Sequence, residues 1–186
     1  MRTLRSFLVL LPLLAVVGCH PCGDPNEPTD PPAKTGRVLF EVAYTNHAWG
    51  YNHQGMYVDN EGNIYTYRWP MGEGARWTHD GNLYTEAELT AHYAPGSASA
   101  GIIARDSLKM MIGLMESASR GTFSDTTQTA ADAGATHTSL YLYDARSKTY
   151  RQIALRLRGD NSFDNRSSSA RQLADILEAR WAGLLR

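Results

Sequence analysis

Hydrophobic and polar positions alternate with a period of two at the start of the folded region. Val38, Phe40, Val42 and Tyr44 interleave with Leu39, Glu41 and Ala43, which predicts a strand with one largely apolar face. Gln54 to Asp59 and Asn63 to Trp69 predict two further strands joined through Asn60-Glu61-Gly62, a short hairpin turn whose glycine supplies the positive φ. Pro70 ends that ladder because it offers no backbone donor. Gly72 to Asn82 is glycine-rich, with room for one more short edge strand.

The period then changes to that of helices. Thr85 and Glu88 have capping-box spacing and predict a helix from Glu86 to about Tyr93, stopped by Pro95-Gly96. Leu108, Met111, Ile112, Met115 and Ala118 form one stripe of a helix from about Gly101 to Ser119. Gly113 within it predicts close packing against a neighbour, since glycine there costs about 1 kcal/mol relative to alanine. Thr122 to Ala135 is small, polar and irregular. Thr138 to Tyr143 and Tyr150 to Arg158 read as two strands, with Ile153, Leu155 and Leu157 on one face of the second. A last helix starts near Ser168, with Ser167 or Ser168 as cap and Ala170, Leu173, Ala174, Leu177, Trp181 and Leu184 in a stripe. The expected fold is α+β: an antiparallel sheet of about five strands with two to three helices packed on one face.

The N-terminus has a different pattern. Arg2 and Arg5 precede an apolar run, Phe7 to Val17, broken only by Pro12, and Val16-Val17-Gly18-Cys19 follows. The run is short of the roughly 20 residues that span a bilayer, so it predicts an export signal removed before Cys19. These residues resemble the signal and lipobox of bacterial lipoproteins. The resemblance implies lipid on Cys19, and His20 in place of an aspartate retention signal implies sorting to the outer membrane of the cell envelope. Two or three acyl chains hold a protein on a bilayer where one binds marginally. The tail from Tyr150 to the end is similar to those of small secreted bacterial lipoproteins, a similarity that implies no activity.

The reading divides the chain into a signal peptide over 1–18, a tether over 19–36 and one globular domain over 37–186. The tether, CHPCGDPNEPTDPPAKTG, holds five of the eight prolines and lacks apolar periodicity, so it cannot bury enough surface to offset ordering. Both cysteines of the chain lie in it. Once Cys19 is lipidated, Cys22 is left as a free thiol, a second acylation site or half of an intermolecular bridge. From Cys19 to Ala145 seven Lys and Arg stand against fifteen Asp and Glu, and from Arg146 onward nine stand against four. The two halves are expected to neutralise each other in the fold, and a nucleic-acid partner is not expected.

Candidate chemistry is concentrated near the first hairpin. Trp49, Tyr51, Tyr57, Tyr65, Tyr67, Trp69 and Trp77 crowd about thirty residues, and Tyr65, Tyr67 and Trp69 share one strand face. Trp49, Tyr51, Trp69 and Trp77 are the candidate ligand-binding residues, for a glycan or an envelope protein, against the plainer reading of tyrosines as good strand residues. The loop NHAWGYNH carries His47 and His53, and His79 follows beyond the hairpin. Three imidazoles are candidate ligands for a metal or groups of a small hydrolase, but the spacing matches no helical zinc motif, so neither metal nor other cofactor is expected. Tyr67 is expected to be structural, with Trp69, Trp49 and Tyr51 partly exposed at the sheet end.

Other motifs carry less. Gly96 to Gly101 lacks the first glycine and leading strand of a nucleophile elbow and reads as a helix lead-in. Asp59 to Asn63 places its glycine too early for a calcium loop. Arg158-Gly159-Asp160 sits where a strand must turn, Asn165-Arg166-Ser167 has little meaning as a sequon in a bacterial lipoprotein, and the scattered carboxylates give no acid–base pair. The preferred function is a non-enzymatic binding lipoprotein; the alternative is a small envelope hydrolase using the loop histidines.

Overall fold

The computed structural model describes residues 38–48, 50–73 and 81–186. The signal segment, the tether with Cys19 and Cys22, and Trp49, Trp77 and His79 lie outside the described residues.

Among the described residues the fold is α+β, with nine strands in place of about five. The elements run β1 (Val38–Asn46), β2 (Asn52–Asp59), β3 (Asn63–Arg68), β4 (Leu83–Thr85), α1 (Glu86–Tyr93), β5 (Ala98–Ile102), α2 (Arg105–Ser119), β6 (Thr127–Gln128), β7 (Ala135–Asp144), β8 (Thr149–Gly159), β9 (Asn161–Asp164) and α3 (Ser168–Leu184). The sheet order is β5-β3-β2-β1-β7-β8-β9-β6, with β4 also on β8. All pairs are antiparallel. The strands the pattern missed are three- to five-residue or shorter segments at the margins, β4, β5, β6 and β9. β5 replaces the expected helix lead-in, and α2 accordingly starts at Arg105 rather than near Gly101.

Helices cover both faces of the sheet, which corrects the one-face expectation. α2 and α3 bury the main apolar core, in which Phe40, Val42, Met56, Val58 and Leu140 meet Met111, Met115, Leu173 and Leu177. The opposite face carries an aromatic cluster of Tyr67, Tyr84, Tyr141 and Tyr150, over which α1 lays Leu89 and Tyr93. The cause lies in the strands: β1 is buried from Val38 to Ala43 on both faces, so it needs cover on both.

Two irregularities set which residues reach which face. A shift between Val38 and Phe40 puts Val38 in the aromatic cluster while Leu39 joins the main core. On β8, Thr138 pairs with Arg156 but Ser139 pairs with Ala154, leaving Leu155 as an extra residue. That bulge keeps Ile153 and Leu155 in the main core and sends Leu157 elsewhere, so the expected three-residue face is broken. Arg156 takes the α3 side, bonding Glu178 at 2.9 Å and Asp175 at 2.8 Å.

Most of each helix stripe is as read: Leu108, Met111, Met115 and Ala118 on α2, and Ala170, Leu173, Ala174 and Leu177 on α3, are buried, whereas Ile112 and Trp181 are only partly buried and Leu184 is exposed. Gly113 also departs from the reading, since a Cβ there would meet open space. Neither serine supplies a side-chain cap to α3. Asn165 is fully buried and donates to Ala118 O at 3.0 Å, so the sequon residue ties the end of α2 to the sheet. The Arg158-Gly159-Asp160 triplet is the turn out of β8, with Asp160 accepting from Ala133 N at 2.8 Å.

Candidate functional site

Strand alternation places Glu41 opposite in direction to Phe40 and Val42, on the α1 face of the sheet. It is 3% exposed, yet its carboxylate is fully engaged. Tyr67 OH donates to Oε1 at 2.6 Å and Tyr141 OH to Oε2 at 2.6 Å. His92 of α1 meets Oε1 through Nε2 at 3.2 Å, and Gln152 Nε2 reaches Oε2 at 3.4 Å. Burial pushes the Glu41 pKa up, but the hydrogen bond and charge of His92, followed by the two phenols, more than offset it and bring it down to about 2. Each phenol that donates to Glu41 is held well above the ordinary tyrosine range, first by burial and then by that carboxylate.

The network continues outward along the sheet. His53 Nε2 lies 3.3 Å from Tyr67 OH, and His53 Nδ1 lies 3.2 Å from Tyr51 OH. Tyr51 in turn meets the ring of His47 edge-on, with centroids 4.7 Å apart. Burial, then the neighbouring His92, brings the His53 pKa down to about 4. Gly55 makes room for this arrangement, because a Cβ there would sit 2.8 Å from Tyr67 OH and 2.4 Å from Val42 O.

Beyond His53 the same sheet face is not covered by α1. Thr45 is the register partner of both His53 and Ala135, and Ala43 pairs with His137. Thr45, Ala135, His137 and the displaced Leu157 floor a hollow of about 400 Å³. Its walls are His47 and Ala48 from the loop after β1, Asp132 and Gly134 from the loop before β7, Asp160 from the turn after β8 and Asn161 at the start of β9. Close backbone packing shapes that wall: a Cβ on Gly159 would fall 2.0 Å from Gly134 O. Asp132 adopts a φ of 62°, a left-handed conformation that aspartate tolerates better than most residues. A second, smaller hollow of about 200 Å³ lies between α1 and the sheet beside Tyr57, Tyr93 and Tyr150.

The residues singled out from sequence are therefore split. His47 lines the open hollow, His53 is sealed at 4% exposure, and Tyr51 joins them. Trp69 is half-buried and donates from Nε1 to His92 O at 3.1 Å, so it holds α1 in place. Tyr67 is 2% exposed, the structural role expected of it. The aromatic face of β3 lies on the α1 side, with Tyr57 stacked between Tyr65 and Tyr93 at 5.0 and 4.2 Å. Sequence reasoning missed Glu41, His92, Tyr141 and Gln152, and also His137, Asp132 and Asp160. The available signal was that Val38 to Ala43 is apolar except for Glu41, so a carboxylate inside that run needs partners.

Among the described residues, no group of three or more His, Cys, Asp or Glu is arranged to hold a metal ion, and no helix is long and apolar enough to cross a membrane. No protein-family model matches the chain, and neither a curated protein nor a solved structure matches it.

Proposed function

We propose that this is a lipid-anchored envelope protein of the non-enzymatic binding type, fixed through Cys19 to the outer membrane and capturing a small polar ligand, of the glycan class, in the hollow at the end of β1, β7 and β8. The observation that carries the binding reading is the hollow itself. Its volume of about 400 Å³ falls in the range of small-ligand sites, and it gathers Thr45, His47, Asp132, His137, Asp160 and Asn161 around the apolar Leu157. Polar groups converging on a partly apolar floor suit a ring bearing hydroxyls. Residues 19–36 give the domain reach from the bilayer, and the Val16 to Cys19 motif supports the anchor.

Binding is favoured over the hydrolase alternative because, of the loop histidines that alternative would use, His53 is sealed at 4% exposure, and the carboxylate–imidazole pair of Glu41 and His92 is sealed at 3% and 4%. A general base must come within hydrogen-bond reach of its substrate. The test is a titration of the mature domain with a panel of envelope-derived oligosaccharides, followed by NMR shift mapping. Shifts at His47 and His137, weakened about tenfold in Asp132→Asn, are expected; a panel that leaves both residues unmoved overturns the reading. The anchor has a separate test. Cys19→Ser is expected to abolish palmitate incorporation, and equal labelling of the variant removes the lipoprotein assignment.

A further inference from the structure

The segment that carries α1 is tied at both ends and lightly held between them. β4 is laddered to β8 ahead of the helix, and behind it Arg68 N donates to Pro95 O at 3.0 Å. Between these ties the helix buries only Leu89, His92 and Tyr93 of its eight residues. Its capping box joins Thr85 to Glu88 within the segment, so it stiffens the helix without fastening it to the sheet. The polar fastening is His92, whose Nε2 meets Glu41 at 3.2 Å and whose carbonyl accepts from Trp69 Nε1 at 3.1 Å.

That fastening has no place for another proton. An ionised carboxylate only accepts hydrogen bonds, and a phenol has one proton to give. Tyr67 gives its proton to Glu41, so His53 donates to Tyr67 from Nε2 and, as a neutral ring, accepts the Tyr51 proton at Nδ1. A further proton on His53 has only Nδ1 to go to, where it faces the Tyr51 O–H. It also makes the ring a cation with its centroid 4.9 Å from that of His92, on a residue 4% exposed. Burial first and His92 second hold the His53 pKa down, at about 4. Glu41 offsets part of the new charge, but its oxygens already take Tyr67, Tyr141, His92 and Gln152. Among the described residues, the other titratable groups facing the two rings are His47 and Tyr51 of the loop, His137 on β7 and Tyr93 on α1, none of them a carboxylate.

We propose that α1 is an acid-released flap: a proton on His53 sets it in competition with His92 for Glu41, and the unlatched helix swings on its two tied ends to open the tyrosine-lined hollow beneath it, while α2 and α3 stay in place. Opening gives the His53 ring to water and takes His92 from beside it. The open form therefore holds the proton more tightly than the closed one, and acid favours opening. The flap does not depend on what the larger hollow binds.

Native-state hydrogen exchange of the mature protein, corrected for the intrinsic rate at each pH, reads the opening. Protection of the α1 amides and of the Trp69 indole N–H is expected to fall about tenfold from pH 7 to pH 5, and to stay below that of β1, β7 and α3 at both. That interval lies inside the His53 window, from 6.5 down to about 4, and above the Glu41 window, from 4.5 to about 2. His53→Gln is expected to remove the fall in α1, and a variant that keeps it overturns the proposal. Level α1 protection in the wild type means that opening does not free His53, and α1 protection equal to that of the core strands means that there is no flap; either overturns the proposal as well. A measurement without any variant is the NMR titration of the His53 ring. A midpoint well below 6.5 is expected, and an ordinary imidazole midpoint overturns the latch.

Discussion

Glu41 is buried with every oxygen engaged, so its removal leaves two phenols, an imidazole and an amide facing one another without their acceptor. Truncating one partner of such a set costs more than the interaction contributes, because the others remain desolvated. Glu41→Leu is expected to lose about 3 kcal/mol or more in urea unfolding. Gly55→Ala acts on the same cluster from outside it by pushing on Tyr67, and overpacking of this kind costs about 1 to 3 kcal/mol. The pH dependence follows from two lowered pKa values. His53 drops from 6.5 to about 4 and Glu41 from 4.5 to about 2, so in each case the unfolded chain takes up a proton before the folded one does. Their stabilisation is complete above the unfolded value and is lost as pH falls through the folded one. Melting temperature is expected to fall in two overlapping windows, from about pH 6.5 to 4 through His53 and from about 4.5 to 2 through Glu41. The groups facing His53 are Glu41 on β1, Tyr67 on β3, His92 on α1, His137 on β7 and the loop residues His47 and Tyr51. A His53→Gln variant whose melting temperature falls as much as wild type between pH 6.5 and 4 contradicts the assignment of the upper window.

At the scale of elements, what was legible is what repeats. The α2 and α3 stripes, the hairpin at Gly62 with a φ of 88° and the Thr85 capping box all come from local rules that tertiary contacts here reinforce. Thr85 Oγ1 accepts from Glu88 N at 3.2 Å while Glu88 Oε2 accepts from Thr85 N at 2.6 Å. Thr85→Ala is therefore expected to cost about 1 kcal/mol, read as faster amide exchange across α1 with α2 and α3 unchanged. What was not legible depends on partners distant in sequence. β5 reads ASAGI, with a positive φ at Gly101, and is a strand because β3 offers it an edge. Leu157 alternates correctly with Leu155 in sequence, yet the bulge against β7 moves it into the hollow. The candidate site was half visible for the same reason. His47, Tyr51 and His53 are neighbours in the loop, whereas Asp132, His137 and Asp160 join them only when β1, β7 and β8 align.

For the whole molecule, the two faces of one sheet have unequal cover. The α2 and α3 side is a continuous apolar core that buries four residues of each helix. The α1 side rests on eight helical residues, of which Leu89, His92 and Tyr93 are buried, and it encloses a charged network. Apolar burial contributes about 25 cal/mol per Å² whatever its geometry, but a polar network returns its desolvation cost only while every partner is in place. Opening α1 therefore gives up little apolar area and lets water reach Glu41, whereas opening α3 exposes the main core. Native-state hydrogen exchange is expected to show α1 and β4 exchanging through a sub-global opening well below the global unfolding free energy, with β1, β7 and α3 exchanging last. Tyr67→Ala is expected to widen that gap, because it removes an aromatic contact with Tyr93 and a donor to Glu41 together. If α1 instead exchanges at the global value in both proteins, the two faces fold as one unit, and the network under α1 is as strong a clamp as the apolar core opposite.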